Sequence, residues 1–301
     1  MAKAWMVVLV LHLGPLVCGA KEPDALASAW LVTFGELEGR LGEANLRVLD
    51  ARPKKDYDAG HIPGAVWVDV KEAAKMAARP GGLHDRAAWE RWMSPLGIGP
   101  KTEVVVYDAN RQLDAARLWW LLSYLGVEKV GLMNGHFPLW TAEKRGTTTE
   151  VPTVQSNQSK PFKVTLRAGR HATRNEVLSA LAAKSDRILD ARTVGEYQGT
   201  DRRAKRAGHV PAACHLEWNQ LLDQDGRFLD ESALRAKLAK AGVKANEPVI
   251  THCQSGGRAS VNAFVLERLG FKARNYYLGW SDWGNAEETP VKVEETSKPG
   301  K

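Results

Sequence analysis

The sequence predicts an α/β protein built from two copies of one domain, each a mostly parallel sheet flanked by helices on both faces. Three observations carry that expectation. Short β-branched runs alternate with segments of helical periodicity, as in a sheet whose strands are joined by crossover helices. The pattern Val48-Leu49-Asp50-Ala51-Arg52 returns as Ile188-Leu189-Asp190-Ala191-Arg192. Each copy then runs on through an acidic residue and a tyrosine (Asp56-Tyr57, Glu196-Tyr197) to a Gly-His turn, Gly60-His61-Ile62-Pro63-Gly64-Ala65 against Gly208-His209-Val210-Pro211-Ala212-Ala213. Self-similarity over more than a hundred residues is the mark of a duplicated domain.

Taken in order, residues 47–49 and 65–68 read as strands, 87–93 as a helix, 103–107 as the central strand and 115–125 as a helix with an apolar face. The second copy repeats this with strands at 187–189, 214–216 and 248–251 and helices at 231–241 and 260–269. It also carries a basic insertion, residues 200–207, before its Gly-His turn. Residues 24–143 and 161–285 are the expected domains, and both are long enough to bury a core. Residues 144–160, rich in Thr, Ser, Asn, Gln and Pro, read as the linker, and 286–301 as a charged, disordered tail.

Residues 1–20 have one lysine, a short apolar run and small residues before Lys21, the pattern of a secretory signal peptide cleaved after Ala20. The run is too short to span a bilayer, and Leu16-Val17 lacks the small residue expected before a lipidated Cys18. The expectation is an exported, periplasmic protein with no stable membrane association after cleavage. Of the 3 cysteines, Cys214 and Cys253 then stay in the mature chain. Cys214 reads as a strand residue of the core. The net charge of +7 suits small anionic substrates, and no basic patch interleaved with aromatics argues for nucleic acid.

The chemistry concentrates at Val249-Ile250-Thr251-His252-Cys253-Gln254-Ser255-Gly256-Gly257-Arg258. A strand ends at a cysteine, a glycine-bearing turn follows, and an arginine stands at the opening of a helix. Backbone N–H groups converging at a helix N-terminus favour thiolate over thiol and hold negative charge. Gly256 and Gly257 permit the positive φ such a nest needs, and Arg258 adds a planar cation. His252, one residue earlier on the strand, should face away from the sulfur. His61 and His209, in equivalent turns, read as structural, and Asp108, in the slot of Cys253, as a solvated strand-end carboxylate or helix cap. No Cys/His spacing matches a metal site and no nucleotide-type phosphate loop occurs, so neither metal nor organic cofactor is expected.

The Asp-Ala-Arg, Gly-His-Ile-Pro-Gly-Ala and Cys-loop motifs together resemble the tandem-domain rhodaneses, the thiosulfate and 3-mercaptopyruvate sulfurtransferases, over roughly residues 24–285. The resemblance implies a non-catalytic first domain and a catalytic second one, in an exported bacterial type of the thiosulfate branch. It implies that Cys253 is the nucleophile and carries a persulfide. The N–H groups of Gln254, Ser255, Gly256, Gly257 and Arg258 would hold the anionic sulfur, Arg258 would help bind the donor, and Arg192 would be either a second anion contact or a brace through Asp190. The implied partners are a small anionic sulfur donor and a thiophilic acceptor, cyanide, a dithiol or a protein thiol. Cysteine phosphatases place five residues between Cys and Arg, whereas four stand here, a cradle suited to sulfur. Mercaptopyruvate enzymes typically carry Cys-Gly-Ser-Gly with threonine in place of Arg258, and a substrate-binding arginine where Glu196 stands, so thiosulfate is the expected donor. The alternatives are a mercaptopyruvate sulfurtransferase and a non-catalytic persulfide carrier.

Overall fold

The computed structural model describes residue 1 and residues 30–154 and 162–294. The signal-peptide reading, with Cys18, and residues 24–29, 155–161 and 295–301 therefore lie outside the described residues. The first domain runs β1 (Trp30–Val32), α1 (Phe34–Arg40), β2 (Leu46–Asp50), α2 (Lys54–Ala59), β3 (Val66–Trp67), α3 (Val70–Ala78), α4 (Arg86–Met93), β4 (Glu103–Tyr107), α5 (Leu113–Tyr124), β5 (Lys129–Met133) and α6 (Phe137–Ala142). The second runs α7 (Arg174–Ala183), β6 (Arg187–Asp190), α8 (Val194–Gln198), β7 (Cys214–His215), α9 (Glu231–Lys240), β8 (Val249–His252), α10 (Gly257–Arg268), β9 (Ala273–Tyr276) and α11 (Gly279–Trp283).

Both sheets are parallel throughout, in the orders β1-β5-β4-β2-β3 and β7-β6-β8-β9. A bridge from His171 to Asn275 supplies the second sheet with the counterpart of β1. The registers superpose the repeat: Asp50 pairs with Tyr107 and Asp190 with His252, which leaves Asp108 and Cys253 as the first residues beyond their central strands. Ligands in open parallel sheets bind beyond the carboxyl ends of the strands.

The helices that follow these two positions, α5 and α10, pack against each other, and one apolar core runs through both domains across them. Trp119 meets Phe264 edge-on at 5.0 Å between ring centroids, and Trp120 stacks on Tyr277 at 4.9 Å. Nearly every residue of α5 from Ala115 onward is buried, as expected of a helix with tertiary contacts on all sides.

One boundary expectation is corrected. Within the linker, residues 144–154 close on the first domain, since Thr148 and His61 exchange both backbone hydrogen bonds at 2.9 Å. Residues 286–294 are not a disordered tail: Lys292 and His209 exchange the same pair at 2.8 and 2.9 Å, and Thr289 is buried. In each copy the segment after the last helix caps the Gly-His turn. Arg206, from the basic insertion, gathers the carbonyls of Trp283, Ala286 and Thr289 and fixes the second of these segments.

Candidate active site

Cys253 follows β8 and is 1% exposed, packed with Ala191 and Ala259 and covered by the partly buried Trp218. Trp218 entered no sequence-based expectation, because a tryptophan in an irregular segment carries no periodic signal. The turn after Cys253 reverses at Gly256, whose φ of 82° is left-handed and which caps α10. Glycine is required twice over here, since a Cβ on Gly256 would collide with the Tyr277 ring. The Cys253 carbonyl accepts from Trp280 N–H at 2.7 Å and the Gln254 carbonyl from Ser281 N–H at 3.0 Å, tying the loop to α11.

The first domain shows what such a turn binds. Asp108 is 1% exposed, and its carboxylate accepts from the N–H groups of Asn110, Gln112, Asp114 and Ala115 at 2.9 to 3.1 Å. Of the two sequence-based readings, the helix cap holds, since the carboxylate accepts from the first turn of α5, and the solvated carboxylate is corrected to a buried one. Burial raises its carboxyl to about 6 despite the N–H bonds that favour the anion. In the second domain Cys253 stands where Asp108 stands. The N–H groups of Ser255, Gly256 and Gly257 find no acceptor among the described residues.

Arg258, the second residue of α10, meets Glu196 in a bidentate pair at 2.5 and 2.9 Å. Glu196 is 2% exposed and also accepts from Thr193 N–H as the third residue of a capping box on α8. Burial works to raise its carboxyl, but Arg258 and Thr193 outweigh that and hold it below the usual carboxylate range. The guanidinium of Arg258 is correspondingly held above its ordinary value, against its own burial, by Glu196 and by Cys253.

Arg192 is not at the mouth of the site. Its guanidinium lies on Asp190 at 2.6 to 3.0 Å and on the Gly208 carbonyl at 2.7 Å, and it is 1% exposed. Arg52 does the same with Asp50 and Gly60 in the first copy. Of the two readings of Arg192, the geometry supports the brace, with Nε and Nη2 bonded to Asp190 and Nη2 also to the Gly208 carbonyl. Gln254 points its amide at the Arg203 carbonyl, 3.1 Å away, which leaves its backbone as its contribution to the nest. Ser255 is exposed and its carbonyl is taken by Arg117 of the first domain at 2.8 Å, a contact between chain positions too distant to be read from sequence.

His252 is wholly buried with its Nε2 3.6 Å from Asp190, beyond hydrogen-bond reach, and burial lowers it to about 4. It is a neutral core residue. His61 and His209 each stack on the tyrosine four or twelve residues earlier, with 3.8 Å between centroids, and bond its carbonyl through Nδ1. Cys214 and Cys253 are both free thiols.

The rhodanese-like domain model matches residues 33–143 and again 173–286, the two domains described above. The chain belongs to the rhodanese family. This tandem rhodanese is 35% identical over 260 residues to the thiosulfate sulfurtransferase of Pseudomonas aeruginosa, covering 86% of this chain and 95% of that one. To the thiosulfate sulfurtransferase of Azotobacter vinelandii it is 31% identical, covering 90% and 100%. Among solved structures, SseA of Escherichia coli, described as a 3-mercaptopyruvate sulfurtransferase, superposes with a TM-score of 0.73 at 25% identity over 84% of this chain and 99% of that one. The rhodanese described here is a sulfurtransferase.

Proposed function

We propose that this rhodanese takes the outer sulfur of thiosulfate onto Cys253 and hands it to a thiophilic acceptor. The observation that carries the reading is the contrast between the two turns: one is filled by the Asp108 carboxylate, and in the other Cys253 holds the matching place while the N–H groups of Ser255, Gly256 and Gly257 have no acceptor among the described residues. The Cys253 thiolate attacks the sulfane sulfur, the S–S bond of thiosulfate breaks with its electron pair leaving on sulfite, and Cys253 holds a persulfide. Cyanide, or a thiolate, then attacks the terminal sulfur; thiocyanate, or a persulfide of the acceptor, departs and the Cys253 thiolate returns. The N–H groups of residues 254–258 hold the negative charge on sulfur in both steps, in a buried site against which Trp218 packs.

The Glu196–Arg258 pair supports thiosulfate over mercaptopyruvate. An α-keto acid needs a free cation to seat its carboxylate, and here the Arg258 fork is already engaged by a carboxylate. Steady-state kinetics with the two donors and cyanide tests the reading. Thiosulfate should show the higher kcat/KM; a preference for mercaptopyruvate would refute the donor assignment. The proposed periplasmic location rests on residues 1–20 of the sequence alone.

A further inference from the structure

The first domain lacks a nucleophile, yet it places a cation against the loop of the second. Arg117 lies on α5, just over one turn from its start, and α5 packs along α10. Its Nη1 donates to the Ser255 carbonyl at 2.8 Å and to the Tyr277 hydroxyl at 2.9 Å. Tyr277 in turn walls Gly256 and stacks on Trp120 of α5. The Arg117 guanidinium fills the space a Cβ on Gly257 would take, so a side chain there would push Arg117 off the loop. Two consecutive glycines of the loop are therefore shaped by one arginine of the other domain and its tyrosine partner.

We infer that Arg117 is a positioning residue for sulfur transfer: it holds the Cys253 loop in the open-nest conformation and adds a positive charge that, unlike Arg258's, no carboxylate pairs. The inference rests on Cys253 being the sulfur carrier. The charged and titratable groups around Cys253 come from every side: Arg258 on α10, ion-paired with Glu196 on α8, Arg117 on α5, and the neutral Tyr277 after β9. Behind Cys253, Asp190 is matched by Arg192 and flanked by neutral His252. Among the described residues no carboxylate forms an ion pair with Arg117. Burial works against its charge, but Tyr277, Cys253 and Asp114 outweigh it and hold the guanidinium above its ordinary value. A loop pinned through the Ser255 carbonyl has that carbonyl's direction fixed, and with it the N–H groups of the following residues, which have no acceptor among the described residues.

The test compares Arg117→Met and Arg117→Lys with the wild type in the full chain, reading the pH profile of Cys253 alkylation by iodoacetamide together with kcat and KM for thiosulfate. Arg117→Met should move the alkylation midpoint to higher pH and lower kcat/KM roughly tenfold, the scale of one charge-assisted hydrogen bond. Arg117→Lys should restore the alkylation midpoint and recover kcat/KM only in part, since an ammonium lacks the fork that reaches both partners. Arg117→Met with a wild-type alkylation profile would overturn the inference, whatever its turnover, and so would equal damage in both variants. If Arg117→Met does not fold, Arg117→Gln replaces it: a neutral donor to the Ser255 carbonyl should keep the loop and still show the alkylation shift. Cys253→Ser separates this from the reading beneath it. Turnover retained in Cys253→Ser would sink the sulfur-carrier assignment, whereas an inactive Cys253→Ser beside an unaltered Arg117→Met sinks only the role of Arg117.

Discussion

In the first copy of the repeat the turn after the central strand closes on its own carboxylate; in the second a turn one residue shorter follows a thiol. The rest of the two sites can be laid side by side. Asp50–Arg52 and Asp190–Arg192 brace the strand end with the same distances, the Trp67 indole and the His215 ring both bond the arginine carbonyl, and both Gly-His turns are capped by a returning segment. Among the differences, three bear on charge at the site: Asp108 against Cys253, Asp114 against Arg258 at the second residue of the following helix, and Asp56 against Glu196. A shared scaffold with an anion already built in on one side, and a nucleophile beside a cation on the other, teaches that the fold supplies the anion nest. The side chains decide whether it does chemistry.

The largest expected effect lies at that first position. Cys253→Ser should lower thiocyanate production from thiosulfate and cyanide to background with the fold intact, because a serine hydroxyl is not an anion under these conditions. Turnover above a few per cent of wild type would break the comparison. Glu196 is the next lever. Glu196→Gln keeps the capping acceptor of α8 while removing the charge that occupies Arg258, so the kcat/KM ratio of mercaptopyruvate to thiosulfate should rise about fivefold, roughly 1 kcal/mol. An unchanged ratio would show that the pair does not govern donor choice. Arg258→Ala alone would strand Glu196 as a buried unpaired carboxylate, so the effect of Arg258 on thiosulfate KM should be read in an Arg258→Ala/Glu196→Gln background.

Asp108→Ala should leave turnover nearly unchanged but shift the urea midpoint, since four N–H groups lose a buried acceptor; a loss of roughly 2 kcal/mol is expected. Lost activity at unchanged stability would mean that the first domain's nest takes part in the reaction.

The smallest effect concerns Tyr107 and His252, which occupy matching register positions. Tyr107 donates to Asp50 at 2.5 Å, whereas His252 sits beyond hydrogen-bond reach of Asp190 and is lowered to about 4 by burial. An unfolded histidine binds its proton near 6.5, so between that pH and 4 the unfolded chain holds more protons than the folded one. Stability is complete above 6.5 and falls as the pH drops through this window, by at most about 3 kcal/mol. His252→Tyr, which copies the first domain, should flatten the fall in urea stability between pH 6.5 and 4. An identical acid limb in both proteins would contradict that assignment.

The duplication, the sheet class and the cysteine loop were legible in the sequence because each is written in contiguous residues. The central strand at Glu103–Tyr107 was placed to the residue, since Val104-Val105-Val106 has no other comfortable conformation on a buried sheet. β5 and β9 escaped: Lys129–Met133 contains a glycine and Ala273–Tyr276 alternates no apolar residues, so pairing rather than propensity makes them strands. The residues of the site that were missed, Arg117, Trp218 and Tyr277, arrive from other elements and the other domain. For Arg192 the sequence leaves an anion contact and a brace open, and the geometry supports the brace through Nε and Nη2.

The contrast between the two copies is tested most directly by mass spectrometry of the protein incubated with thiosulfate and no acceptor, then digested without reductant. One additional sulfur on the peptide carrying Cys253, removed when cyanide is added, is the expected result. An unmodified Cys253 peptide under conditions that support turnover, or the sulfur on Cys214 instead, would contradict the assignment of the second nest as the sulfur site.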